Sequence, residues 1–96
     1  MVQRNDGHRM LLIARRWIHL SPTQYALLVP LLEHFGHPVS HAEIYWRAFG
    51  TSYSPRDARR TCYHIDELRP RLSPCGLLIR TVIDHGYMLL REPAEP

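Results

Sequence analysis

Four residues, Arg56, Arg60, Tyr63 and Glu67, recur at helical spacing after the pair Ser54-Pro55. A helix starting there lines them along one stripe, with Arg59 and His64 beside it. Guanidinium groups at the front of a helix suit phosphate oxygens and guanine edges, and an imidazole can donate one more hydrogen bond. A plain solvated face has the same look, so spacing alone leaves both readings open. Asp66 and Glu67 oppose phosphate contact by their charge. Pairing along the helix offers relief, because Asp66 stands three residues before Arg69 and Glu67 four before Arg71. Glu67 also has the chemistry to accept from a cytosine amino group.

Other chemistry is thin. Cys62, His64, Cys75 and His85 do not have a zinc-site spacing, and no metal or other cofactor is expected. There is no nucleophile motif and no glycine-rich phosphate loop, so an enzyme is not expected. The two cysteines are expected as free thiols in a reducing cytoplasm. No apolar run approaches the length of a membrane span, and residues 1–7 lack the apolar core of a secretory signal. With 96 residues, 45% hydrophobic and 22% charged, the chain makes one small domain with a modest core. All 12 basic residues are Arg, and the net charge of +3 permits a nucleic-acid partner without requiring one.

Three helix starts share one chemistry and set the frame. Ser21-Pro22-Thr23-Gln24 and Ser40-His41-Ala42-Glu43 read as capping boxes, and Ser54-Pro55-Arg56-Asp57 repeats the serine–proline entry with an acid in the first turn. The first helix is expected from about Pro22 to Phe35, bent at Pro30 and stopped by Gly36-His37-Pro38. The second is expected from about His41 to Phe49, ending at Gly50. The third is expected from about Pro55 to Leu72, with Ala58, Cys62, Ile65, Leu68 and Leu72 turned inward. Before the helices, Arg9–Ala14 and Trp17–Leu20 read as a short hairpin. After them, Leu77–Ile83 and Tyr87–Leu90 read as a second hairpin around Asp84-His85-Gly86. Residues 1–8 are expected to be a flexible arm, 9–91 the domain, and 92–96 a flexible tail.

This order resembles the OmpR/PhoB-type winged-helix domain, the DNA-binding part of many bacterial response regulators. The matching blocks are Leu20–Leu28, Pro38–Ile44, Phe49-Gly50, Tyr63–Leu72 and Ile79–Tyr87, within a resemblance spanning about Arg9 to Leu90. The similar module at the front of some antibiotic-pathway regulators is the alternative. The implied fold is α+β: a winged helix-turn-helix with a short N-terminal β-hairpin, three helices and a C-terminal hairpin wing. The resemblance puts the third helix in the major groove and the wing near the minor groove. It also places Arg59, Tyr63 and His64 on DNA-facing positions and turns the loop Gly50–Tyr53 toward RNA polymerase. The chain departs from the family in its short N-terminal sheet and in a length that leaves no room for a receiver domain. It departs again at Ile83, where the family frequently has a minor-groove Arg.

The expected function is that of a sequence-specific transcription regulator of double-stranded DNA, cytoplasmic and nucleoid-associated. Its expected anchors are Arg56, Arg59, Arg60 and His64, with Arg69, Arg71 and Arg80 as outer contacts and Tyr63 and Glu67 also among the expected DNA-binding residues. A single module buries roughly 600–1,000 Å², so a homodimer or tandem copies are expected on repeated half-sites. The alternative is a winged helix serving as a protein-interaction module on RNA polymerase or another regulator. Asp66, Glu67, Ile83 and Trp46 favour that alternative, and its expected interface is Trp46 on the second helix with Thr51, Ser52 and Tyr53 of the loop that the resemblance turns toward RNA polymerase.

Overall fold

The computed structural model describes residues 2–93. Its elements run β1 (Gln3–Asn5), β2 (Met10–Ile13), β3 (Arg16–His19), α1 (Pro22–Glu33), β4 (Val39–Ser40), α2 (His41–Phe49), α3 (Ala58–Leu72), β5 (Leu77–Val82) and β6 (Gly86–Arg91). Single 3-10 turns, Pro55–Asp57 and Ser73–Cys75, flank α3. The strands form two antiparallel sheets, ordered β1-β2-β3 and β4-β6-β5. The result is the expected α+β winged helix, with a three-stranded sheet before the helices and a hairpin after them that is joined by β4.

The N-terminal sheet has three strands where the sequence suggested two. Gln3–Asn5, read as part of a loose arm, pairs with Met10–Leu12. All three of its residues are exposed, so no apolar alternation marks it. What holds the segment is polar: the Tyr25 hydroxyl donates to Asp6, and Arg4 reaches both Asp6 and Glu33 on α1. The β2–β3 turn is made by Ala14 and Arg15, both at positive φ (50° and 66°). Two positive φ values are what a tight two-residue hairpin requires, although neither residue is a usual turn former.

Ser21 caps α1 as expected: the Gln24 N–H donates to Ser21 Oγ and the Ser21 N–H to Gln24 Oε1, each at 3.1 Å. The helix stops at Glu33, short of Phe35, and Phe35 is left exposed rather than in the core. The chain turns away there because Gly36 takes a left-handed φ of 83° and its N–H bonds Leu89 in β6. Helix α2 has the expected bounds, with Ser40 accepting from the Glu43 N–H and Gly50 left-handed at its end.

In α3 the inward arc is Thr61, Ile65, Leu68 and Leu72, and Cys62 is exposed. The expected arc holds at Ile65, Leu68 and Leu72 and differs at one member, with Thr61 buried in place of Cys62. Thr61 tolerates burial because its hydroxyl donates to the Asp57 carbonyl one turn back. The core joins these residues to Leu27, Leu28 and Leu31 of α1, Ile44 of α2, and Ile79 and Leu89 of the wing. Of the tail expected over 92–96, Glu92 accepts from Ser73 Oγ; residues 94–96, like residue 1 of the expected arm, lie outside the described residues.

Candidate nucleic-acid interface

The entry to α3 is held by Asp57. Its carboxylate accepts from the Ser54 N–H (2.9 Å) and from Ser54 Oγ (3.1 Å). The backbone hydrogen bond from Ser54 is the main reason its carboxyl lies below the usual aspartate range. The charge is therefore kept at a helix N-terminus, where the backbone dipole favours it.

Around this anchor Arg56 and Arg59 stand exposed, and neither meets a carboxylate at ion-pair distance among the described residues. Tyr63 is 61% exposed, its ring 5.4 Å from that of His64 in an edge-on contact. Arg56 stands on the 3-10 turn before α3, and Arg59 and Tyr63 follow one helical turn apart on an exposed side of α3, with His64 half-buried beside them.

Arg60 behaves differently. Its guanidinium lies 4.2 Å above the Phe49 ring and its Nη1 is 3.5 Å from the Tyr45 hydroxyl. It covers the end of α2 as well as facing outward. That contact spans the α2–α3 loop, where no periodic pattern signals it.

The far half of α3 differs more. Arg69 donates from Nη1 to Asp66 (2.6 Å), from Nε to the Ile79 carbonyl (3.2 Å) and from Nη2 to Thr81 Oγ1 (2.9 Å). Arg71 donates to the His19 carbonyl at 2.8 Å. The expected Asp66–Arg69 pair forms. The expected Glu67–Arg71 pair does not, because Arg71 turns to the end of β3, and Glu67 instead lies 3.8 Å from His64 Nδ1.

In the wing, Arg80 is exposed on β5 and unpaired with any carboxylate among the described residues. Ile83 at the tip is 83% exposed, followed by exposed Asp84 and His85. Gly86 is glycine for a reason other than turn geometry. A Cβ there would sit 1.9 Å from the Val39 carbonyl oxygen, where β4 crosses close to β6. Tyr87 is buried, and burial pushes its phenol up to about 12.

On the α2 side, Thr51 and Ser52 are exposed, whereas Tyr53 stacks on His41 at 5.2 Å and meets Tyr45 edge-on. Trp46 is 57% exposed beside Arg47, which pairs with Glu33 at 2.9 Å. No group of three potential metal ligands occurs among the described residues, and none of their helices is long and apolar enough to cross a membrane.

An exposed, cation-bearing third helix thus stands beside a two-stranded wing. The model of the family described as "Transcriptional regulatory protein, C terminal" matches residues 15–89. The chain belongs to this family. It is thus a DNA-binding domain of the OmpR/PhoB type, a transcription-regulator module and not an enzyme. Among solved structures it is similar to the DNA-binding domain of CpxR from E. coli, with a TM-score of 0.77 and 23% identity over 96% of this chain and 92% of that one. The Klebsiella pneumoniae RstA DNA-binding domain in complex with RstA box gives 0.77 and 22% over 93% and 90%. The DNA-binding domain of Bacillus subtilis CssR gives 0.72 and 23% over 93% and 99%. At these identities the likeness concerns the fold. No curated protein matches the chain in sequence.

Proposed function

We propose that this OmpR/PhoB-type domain reads specific double-stranded DNA by inserting the first half of α3 into the major groove, with the β5–β6 hairpin against the flanking backbone. Arg56 and Arg59 contact phosphates or guanine edges, Tyr63 and His64 flank them, and Arg80 reaches an outer phosphate. Glu67, beside His64, is the candidate for a cytosine amino group. The observation that carries the reading is the pair of exposed guanidinium groups of Arg56 and Arg59, unpaired at the positive end of the helix. The like-folded RstA DNA-binding domain is in complex with RstA box, which supports a DNA partner for this domain. A small footprint and a net charge of only +3 favour two copies on repeated half-sites, as a dimer or in tandem.

The test is retention of mixed genomic fragments across a salt series. Affinity should fall as salt rises, and Arg56→Ala with Arg59→Ala should lower the slope of log K against log salt by about 0.9 for each phosphate no longer engaged. Absence of retention at low salt overturns the reading. The second reading is a module that docks on RNA polymerase or a separate regulator. Exposed Trp46 and Ile83 favour it, with Thr51 and Ser52 between α2 and α3. Under that reading Trp46→Ala weakens complex formation and leaves DNA retention unchanged.

A further inference from the structure

The strand β5 lies at the edge of its sheet, hydrogen-bonded to β6 on one side only. Its outward carbonyls need partners from elsewhere. Arg69 supplies one: Nε donates to the Ile79 carbonyl, while Nη2 of the same fork donates to Thr81 Oγ1 two residues along. The third arm, Nη1, is held by Asp66 one turn back on α3. A guanidinium is planar and permanently charged, with its donors fixed in direction. Holding three acceptors from two elements therefore fixes where β5 stands relative to the α3 axis.

What is fixed matters for the surface proposed to meet DNA. Arg80 sits between the two clamped residues, and alternation along a strand sends its side chain to the opposite face from Ile79 and Thr81. The wing tip begins at Ile83, two residues after Thr81. We infer that Arg69 is a positioning residue and not a phosphate contact: with Asp66 as its orienting acid, it sets Arg80 and the wing at the right distance from the cations of α3. This rests on the DNA-binding reading above. It also gives Asp66 a purpose, because an acid beside a phosphate-binding face serves binding when it steers a neighbouring guanidinium.

Two measurements separate positioning from contact. The first is a double-mutant cycle on DNA affinity and its salt slope, with Arg69→Gln, Arg80→Ala and the double variant. Positioning predicts that each single variant weakens binding about tenfold, the scale of one charge-assisted hydrogen bond. The double variant should then be little worse than either. If Arg69 touches a phosphate itself, the losses add and each variant takes about 0.9 from the slope, which overturns the inference. Asp66→Asn provides a check by sign. Simple removal of a repelling charge would tighten binding, whereas loss of the orienting acid weakens it; tighter binding overturns the inference. The second measurement needs no DNA. Amide exchange over Arg80–Gly86 should speed up about tenfold in Arg69→Gln relative to the parent, again the scale of one charged hydrogen bond removed. Unchanged exchange refutes the clamp even if the parent protein fails to bind DNA, so failure of the clamp and failure of the DNA reading remain distinguishable.

Discussion

Replacing Gly86 by alanine is the sharpest test of how the wing is attached. The backbone conformation itself does not demand glycine, since Gly86 is not among the residues with positive φ. On unfolded-state entropy alone, Gly86→Ala would stabilise the domain by about 0.4–1 kcal/mol. The structure predicts the opposite. The added Cβ would lie 1.9 Å from the Val39 carbonyl oxygen and 2.9 Å from both the His41 nitrogen and the Ser40 carbonyl carbon, all backbone atoms. Ordinary contact begins near 3.4 Å, so β6 has to retreat from β4 by about 1.5 Å, an overpacking that backbone atoms cannot relieve by a rotamer change. That retreat breaks the Val39–Tyr87 and Ser40–Gly86 pairing and pulls at the His41 N–H bond to the His85 carbonyl, 2.8 Å long. Overpacking of this kind costs about 1–3 kcal/mol or more, and a net loss near 2–3 kcal/mol lowers the Tm by about 10–20 °C for a domain of this size. Thermal unfolding followed by circular dichroism measures it. Gly50→Ala is the control: Gly50 is left-handed at φ 68°, but a Cβ there meets nothing within 4 Å. Its cost is only the conformational strain of about 1–2 kcal/mol. If Gly86→Ala melts no lower than Gly50→Ala, the reasoning about the β4–β6 approach is wrong.

Two further outcomes follow from the electrostatics and the aromatic contacts. The Glu33 carboxyl is held low first by the hydrogen bond from Arg47, and the Asp6 carboxyl first by the Tyr25 hydroxyl. Their contribution is present above the ordinary carboxylate range and is lost as pH falls through the lowered values. Burial first, then His85, lowers the His41 imidazole, whose Nδ1 has no partner. That contribution is present above 6.5 and is lost as pH falls through the lowered value, so urea midpoints at a series of pH values should decline in two acid steps. Glu33→Gln should shrink the lower step by under about 1 kcal/mol, given the exposure of its pair. His41→Phe, which keeps a ring against Tyr53, should remove the upper step. Arg60→Ala should destabilise the domain by about 0.5–1 kcal/mol as its packing on Phe49 is removed. An unchanged melting curve would mean that Arg60 faces only outward.

The parts of the fold legible in the sequence are those written in local chemistry. Helix α2 is the clearest case: a serine cap, an acid in the first turn and a left-handed glycine stop fix both ends within one short segment. The strand Gln3–Asn5 leaves no trace, because it is exposed throughout and pinned by side chains from α1. The phase of α3 misleads at one step because cysteine is the more usual core residue, whereas Thr61 hides its hydroxyl against the preceding turn. The exposure of Arg56 and Arg59 is legible at the front, where neither has a carboxylate partner among the described residues. Further along only the Asp66–Arg69 pair is legible, because the other two groups that engage Arg69 lie on β5, and the carbonyl that engages Arg71 belongs to His19, 52 residues earlier.

The two ends of α3 differ in charge, and that difference bears on how the domain would sit on DNA. At the C-terminal end, Arg69 and Arg71 offset the negative end of the helix dipole while bonding to the neighbouring strands, and Asp66 and Glu67 remain as the acidic members of that half. At the N-terminal end the dipole is positive and Arg56 and Arg59 are unpaired by carboxylates among the described residues, so phosphate attraction is concentrated over about two turns. A helix charged at one end favours an end-on approach, with its first turns in the groove and its last turns lifted toward the body of the domain. Few phosphates are neutralised in that pose, and the salt slope of one copy should be correspondingly shallow. If DNA is held tightly, the missing attraction has to come from a second copy on a neighbouring half-site. The slope should then double when the spacing of half-sites admits two copies, and a slope independent of that spacing would count against the tandem arrangement.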